Sequence, residues 1–411
     1  MKNKRLLLRF SVITMIFFTA VTSCRKDDND ADYSYFLSKE LAVSYNKLYI
    51  NNLLDLVAKS FPEVNNLKPL VNSDINIYRI VYKTTINGEE LDASGLVCVP
   101  VTPGTYPVFS FQNGTNTLNA NAPSEYAINF SYQLIEIIAS MGYVVVIADY
   151  PGFGESANIP HPYLVKEPTV RSLVDMLYAV KELPGSGLPG ITLKNEYYLA
   201  GYSQGGWATL ALHKALELDY KDDFNLKGSV CGAGPYNISL LLNGIVSLTT
   251  YPMPVYLGYI LKAYSSYNQF TNPVTDIFNE PYASRLPSLY TGLQTSDQIN
   301  NQLTTSISGL INPDFLSGFS TSPKYTTVRE ALNDNSITSW HSYKPLLLIH
   351  GEKDTHVNPV STEDMYSAMI VAGTSVDMCK KVFIPDVDHG DGIAPSMIQG
   401  IQFLLELSTS K

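Results

Sequence analysis

Gly201-Tyr202-Ser203-Gln204-Gly205 constrains the fold of this chain more than any other stretch. It follows a short apolar run, Tyr197 to Ala200, and opens a helix-like run from Trp207 to Leu218. In that strand–turn–helix setting a G-x-S-x-G pattern reads as a nucleophile elbow. Small residues on either side of the serine let strand and helix approach closely, and the hydroxyl stands at the apex of the turn. Without that setting the same five residues are only a glycine-rich turn.

The surrounding pattern fits such an elbow. Apolar strand runs fall at Val108–Phe111, Tyr143–Ala148, Tyr197–Ala200, Gly228–Cys231, Pro345–His350 and Lys381–Ile384. Helical runs fall between them, near 124–141, 168–183, 205–219, 361–372 and 393–408. Continuous apolar strands separated by amphipathic helices imply an α/β fold, a mostly parallel sheet with helices on both faces. Ahead of it, Ile75–Ile86 and Leu91–Pro100 flank Asn87-Gly88 as a hairpin, which makes the first edge antiparallel. A helix is expected from about Tyr33 to Lys59, where Leu37, Leu41, Tyr45, Leu48, Leu53 and Leu56 recur on one face. One segment breaks the rhythm. Residues 236–339 hold many Tyr, Leu, Asn, Ser and Thr but no β–α unit, and are too long for a structureless loop. They read as a mostly helical cap inserted after the sixth strand, dividing the core into 33–235 and 340–411; packing helices remote from the site are the alternative.

The amino terminus reads as an address. Lys2, Lys4, Arg5 and Arg9 precede an apolar run from Phe10 to about Val21, too short to span a membrane. Residues 1–23 are therefore expected to be an export signal. Val21-Thr22-Ser23-Cys24 resembles a bacterial lipobox, which implies cleavage after Ser23 and lipidation of Cys24. An ordinary secretory signal with an incidental cysteine is the alternative. Residues 24–32 form a polar tether, and Cys24-Arg25-Lys26-Asp27-Asp28 is similar to the acidic export tag of some Gram-negative surface lipoproteins. That points to a lipid anchor at the outer membrane or cell surface, with no spanning helix. Removing 1–23 takes away four positive charges and no negative one, so the formal net charge moves from −10 to −14. Such an acidic chain offers no electrostatic footprint for nucleic acid. Cys98, Cys231 and Cys379 lie in apolar runs without C-x-x-C spacing. They read as buried thiols, neither a metal site nor a disulfide framework, with one disulfide among the three left open.

A serine needs a base to take its proton, and the base needs a third group to orient it. The chain order serine, acid, histidine suits this fold. Asp354 stands on the turn after the apolar run ending at His350, and His389 on the loop after the final strand. Both can reach the edge of the sheet where Ser203 stands. The other histidines are weaker candidates: His350 ends a strand, and His356 is two residues from the acid. His213 lies in the helix after the elbow, and His161 and His341 sit near prolines and turns. Asp386 and Asp388 are reserve acids whose closeness to His389 in sequence suits loop or helix capping better. For the oxyanion, one donor is expected from the backbone N–H of Gln204 and another from Gln112-Asn113-Gly114-Thr115, with Thr115 supplying it. Asp149-Tyr150-Pro151-Gly152-Phe153-Gly154-Glu155-Ser156 reads as a loop that shapes the pocket wall.

Taken together these residues resemble an α/β-hydrolase, and more narrowly the secretory lipase family of fungi and bacteria, from about residue 75 to the end apart from much of the cap. The motifs that carry the resemblance are Asn121-Ala122-Pro123-Ser124, Asp149-Tyr150-Pro151-Gly152, Gly201-Tyr202-Ser203-Gln204-Gly205-Gly206, Gly232-Ala233-Gly234-Pro235 and the Asp354 and His389 turns. The resemblance implies hydrolysis of carboxylic esters by a Ser-His-Asp triad under a helical lid, without a cofactor or metal. Thr115 stands where some relatives have an acidic residue. The ester is expected to be a small molecule or linked to a glycan. Two other readings stay open. A prolyl-oligopeptidase-like peptidase shares the elbow, but usually carries a large amino-terminal domain for which there is no room here. A non-catalytic surface lipoprotein would bind glycans or a partner through its cap, and the chain's 28 tyrosines suit that role as well as they suit packing.

Overall fold

In the computed structural model, which describes residues 34–188 and 190–409, nine strands form one sheet. The expected export signal, Cys24 and the tether lie outside the described residues. The strands are β1 (Phe36–Tyr45), β2 (Ile75–Ile86), β3 (Glu89–Pro100), β4 (Gly104–Gln112), β5 (Val144–Ala148), β6 (Ile191–Tyr202), β7 (Leu226–Gly232), β8 (Leu346–Gly351) and β9 (Cys379–Ile384). Their order is β1-β2-β3-β5-β4-β6-β7-β8-β9. The first three pairings are antiparallel and those from β5 to β9 are parallel. The β2–β3 hairpin closes through Asn87-Gly88, both at positive φ (52° and 82°), the backbone that a two-residue turn with the twist of its strands requires.

The helix expected over Tyr33–Lys59 is not what forms. Its first half is β1, an edge strand paired to β2, and only Lys47–Val57 is helical (α1). Leu37 and Leu41 of the expected apolar face are exposed. Asn46 marks the break: its side chain accepts from the Tyr49 N–H and caps α1.

Side chains leave a strand on alternate faces, so a fully buried sheet needs two cores, and residue parity decides which core a side chain joins. Val144, Val146, Tyr197, Leu199, Leu346 and Leu348 face one layer. Val145, Ile147, Tyr198, Ala200, Leu347 and Ile349 face the other. Burying each such aliphatic side chain is worth about 1.5–3 kcal/mol, which pins the strand register. The first layer holds α3 (Lys166–Glu182) and α4 (Gln204–Leu218), the second α1 and α2 (Phe130–Glu136). Between β7 and β8 the chain runs through α5 (Ile238–Val246), α6 (Pro254–Ser266), α7 (Tyr282–Leu289), α8 (Ser296–Asn300), α9 (Ile307–Leu310), α10 (Pro313–Gly318) and α11 (Thr326–Asn335). Beyond β8, α12 (Val360–Val371) joins the first layer and α13 (Ile393–Thr409) the second.

The α5–α11 segment is joined to the core by its polar tips. The hydroxyls of Tyr259, Tyr264 and Tyr267 donate to the carbonyls of Asn116, Leu164 and Pro160. Trp207, at the start of α4, donates its indole N–H to the Asn335 carbonyl at the end of α11 (3.1 Å). Trp340 donates to Glu217 on α4 (2.8 Å). These tyrosines are spent inward, on packing and backbone carbonyls, as buried Tyr requires. Cys98, Cys231 and Cys379 are buried free thiols. Among the described residues no helix is long and apolar enough to cross a membrane.

Candidate active site

Ser203 joins β6 to α4 with φ 59° and ψ −122°, a backbone that costs a non-glycine residue about 1–3 kcal/mol. The glycines around it make room. A Cβ on Gly205 would overlap the Gln112 carbonyl oxygen of β4, and one on Gly201 would overlap Gly205 itself. The cost sets the hydroxyl on the sheet's carboxyl edge, where the turns after β8 and β9 also arrive.

Those turns bring in Asp354 and His389. Ser203 Oγ lies 2.9 Å from His389 Nε2, and His389 Nδ1 lies 2.6 Å from Asp354 Oδ2. The other carboxylate oxygen, Oδ1, accepts the backbone N–H groups of His356 (2.8 Å) and Val357 (2.9 Å). Burial pushes the Asp354 pKa up, but hydrogen bonds from His350 and His389 outweigh it and hold the carboxyl well below its usual range. An ionised carboxylate only accepts, so His389 carries its proton on Nδ1 and offers Nε2 to the serine O–H. The arrangement can move the Ser203 proton onto His389 and stabilise the imidazolium that results.

The structure brings the expected oxyanion residues to the same place. Gln204 is the first residue of α4, so its N–H has no partner within the helix. The Gln112–Thr115 loop passes close by: a Cβ on Gly114 would stand 3.9 Å from Ser203 Cβ. Thr115 Oγ1 is paired with the Tyr163 hydroxyl (2.9 Å). The loop after β5 props this one, since the Tyr150 hydroxyl donates to the Asn113 carbonyl (3.1 Å). Asp149 is buried and tied to Ser94 and Ser124, holding the loop's base. Asp386 is exposed and pairs with Lys353, while Asp388 accepts from the Asp391 N–H.

Two histidines that the sequence left in the background belong to this network. His350 Nε2–H points at both the Val357 carbonyl (2.8 Å) and Asp354 Oδ2 (3.1 Å), and its Nδ1 accepts from Thr362 (2.8 Å). It is a second imidazole on the acid. His161 donates from Nδ1 to the Pro151 carbonyl and accepts the Gln204 side-chain N–H at Nε2, both at 2.8 Å. Burial lowers its pKa to about 4, so it stays neutral and fixes the residue beside the nucleophile. His350 ends a strand and His161 follows a proline; no local pattern marks either, because their partners lie on other elements. His356 packs its ring 4.9 Å from that of His389, and its side chain makes no hydrogen bond to the acid.

From Ser203 and His389 a cavity of about 540 Å3 runs into the second layer of the core. Asn113, Thr115 and Asn116 make its polar end, and Leu54, Leu67, Ile138 and Ile401 are among its apolar walls. Its size falls in the range of small-molecule sites.

Known proteins align with this architecture. A Legionella pneumophila protein described as a candidate hydrolase superposes with a TM-score of 0.81 at 25% identity, covering 92% of this chain and 99% of its own. The rice cell wall degrading esterase LipA from Xanthomonas oryzae gives 0.76 at 22%, covering 92% and 97%. Candida antarctica lipase A in its closed state gives 0.65 at 14%, covering 92% and 85%. The last two likenesses are of fold alone, the α/β-hydrolase fold. No curated protein matches the sequence. The family model for secretory lipases matches residues 119–389, a span that includes the elbow and both turns that meet it. By that match the chain belongs to the secretory lipase family and is a carboxylic ester hydrolase.

Proposed function

We propose that Ser203 is the nucleophile, His389 its base and Asp354 the group that orients the base. The observation that carries this reading is His389 itself, bonded through one ring nitrogen to Ser203 and through the other to Asp354. Ser203 Oγ attacks the ester carbonyl carbon as its proton passes to His389 Nε2. The tetrahedral oxyanion is held by the N–H groups of Gln204 and Thr115. Collapse breaks the bond to the alcohol oxygen, which leaves with the proton from His389. Water, deprotonated by the same nitrogen, then releases the acid and restores Ser203.

Ser203→Ala is expected to lower kcat on a p-nitrophenyl ester by about 10⁶, the scale for losing a triad serine, with the fold intact. A serine-directed phosphonate should label the wild type at Ser203 only. Turnover retained by Ser203→Ala would overturn the assignment. Residues 236–339 serve as a cap over this edge of the core, on the strength of the hydroxyl ties of α6 to the loops beside the site. The protein is exported and held at the outer membrane or cell surface through lipidated Cys24, a reading that rests on the basic and apolar start of the chain. Metabolic labelling with a fatty acid that fails to mark Cys24 would remove the anchor and leave the enzyme reading intact.

A further inference from the structure

We infer that the acyl chain of the substrate lies in the core, between α1, α2 and α13, and not under the cap; the inference rests on Ser203 being the nucleophile. The roughly 540 Å3 cavity has Ser203 and His389 at one end. Its apolar walls come from α1 and the turns that follow it (Leu54, Leu67), from the turn after α2 (Ile138) and from α13 (Met397, Ile401). Each of these side chains belongs to the second core layer. The α5–α11 segment packs into the first layer and contributes only Tyr256 to the cavity.

Volume separates the two places. The apolar space within the α5–α11 segment, lined by Leu242, Leu257 and Phe278, is about 50 Å3. An apolar cavity of about 150 Å3 takes the six carbons of benzene. That pocket within the α5–α11 segment is a third of this size, whereas the core cavity exceeds it more than threefold. At that ratio the whole cavity would hold on the order of twenty carbons, so a chain of ten fits with room left for the ester group.

Protein interiors are otherwise close-packed, and unfilled apolar space lowers stability. A large, mainly apolar cavity with the nucleophile in its lining is therefore fitted to an apolar occupant. Its mouth carries Phe130 and Ile393, both exposed, on α2 and α13. Val64, Leu67 and Ile401, also in its lining, are buried. Among its polar groups, Asn113, Thr115 and Asn116 come from the loop beside Ser203, where the ester carbonyl must lie. The substrate class that fits is an ester of a medium- to long-chain fatty acid, its chain inserted towards α1 and its alcohol left on the cap side.

The test uses the wild-type protein and a p-nitrophenyl decylphosphonate carrying a diazirine at the far end of its alkyl chain. After labelling and irradiation, cross-linked peptides are identified by mass spectrometry. Cross-links to residues 54–67, 134–141 or 393–401 are expected. Attachment at Ser203 with cross-links confined to 236–339, or with none into these three segments, overturns the inference and leaves the nucleophile standing. No attachment at Ser203 overturns both. In parallel, kcat/KM should rise up to about fourfold per methylene from butyrate to about decanoate. Ile138→Trp or Ile401→Trp should lower the decanoate-to-butyrate ratio at least tenfold. A flat ladder, or an unchanged ratio in folded variants, also overturns it.

Discussion

Replacing Asp354 by asparagine exchanges one carboxylate oxygen for an amide NH2 and should disable the relay. Four donors converge on this carboxylate: the N–H groups of His356 and Val357 on Oδ1, and the rings of His389 and His350 on Oδ2. An amide has one oxygen and one NH2, so half of its polar surface must face donors. If the NH2 turns to the backbone pair, two buried N–H groups lose their acceptor at about 1–3 kcal/mol each. The favoured arrangement keeps the oxygen there and points the NH2 at the imidazoles. His389 must then accept at Nδ1, which moves its proton to Nε2 and aims a donor at Ser203. The wrong tautomer in the serine-protease triad costs about 10⁴ in kcat, or about 5 kcal/mol of barrier. A fall of that order is expected for Asp354→Asn on p-nitrophenyl butyrate between pH 6 and 9, with thermal unfolding as the check on the fold. A folded variant that keeps a tenth of kcat would refute the role given to Asp354.

Three further changes follow from the same geometry. His350→Leu strips one donor from Asp354 and leaves the Val357 carbonyl and Thr362 hydroxyl without their ring partner. It should cost about 1–3 kcal/mol in urea unfolding and lower kcat with little change in KM; neither effect appearing would make His350 a bystander. Gly205→Ala drives a methyl into the Gln112 carbonyl oxygen, so loss of soluble, folded protein or of several kcal/mol is expected, and a normal Tm would contradict the packing of the elbow. Glu136 is buried on α2 beside the Tyr45 hydroxyl, and burial raises its pKa to about 8. Between its ordinary pKa near 4.5 and about 8 the folded form holds a proton that the unfolded form has lost, so stability falls as pH rises through that window. Glu136→Gln removes this dependence and should raise Tm at pH 8 by more than at pH 5; an equal change at both would show that the carboxyl is not held neutral.

Much of this molecule could be read from local signals, and the exceptions share a cause. The elbow announces itself because the glycines, the serine and the flanking strand and helix are contiguous. The parallel strands were legible because burial on both faces leaves runs such as Val144–Ala148 apolar throughout. Phe36–Tyr45 resembles a helix in sequence because Leu37 and Leu41 imitate a helical face continued by Leu48 of α1. The segment becomes a strand by pairing with β2, thirty or more residues away, through a register broken twice. Asn46, a capping residue, was the available clue to where the helix starts. The network around the site was hidden for a related reason. Ser203, Asp354 and His389 each sit on a recognisable turn, whereas His161 and His350 acquire meaning only from Gln204, Pro151, Val357 and Asp354 across space. Volume is the least legible property of all: nothing in the local pattern of α1 or α13 announces the cavity that both of them line.

The two tryptophans give this protein a built-in optical probe. Both indoles are buried, and both donate across the joint between α4 and the stretch that leads from α11 to β8. Intrinsic emission therefore watches that joint, while far-ultraviolet circular dichroism averages over every strand and helix. Coincident denaturation curves by the two signals would mean that the helical insertion and the sheet come apart as one cooperative unit. An emission change that precedes the loss of ellipticity would time the insertion's release from the sheet, with no label added.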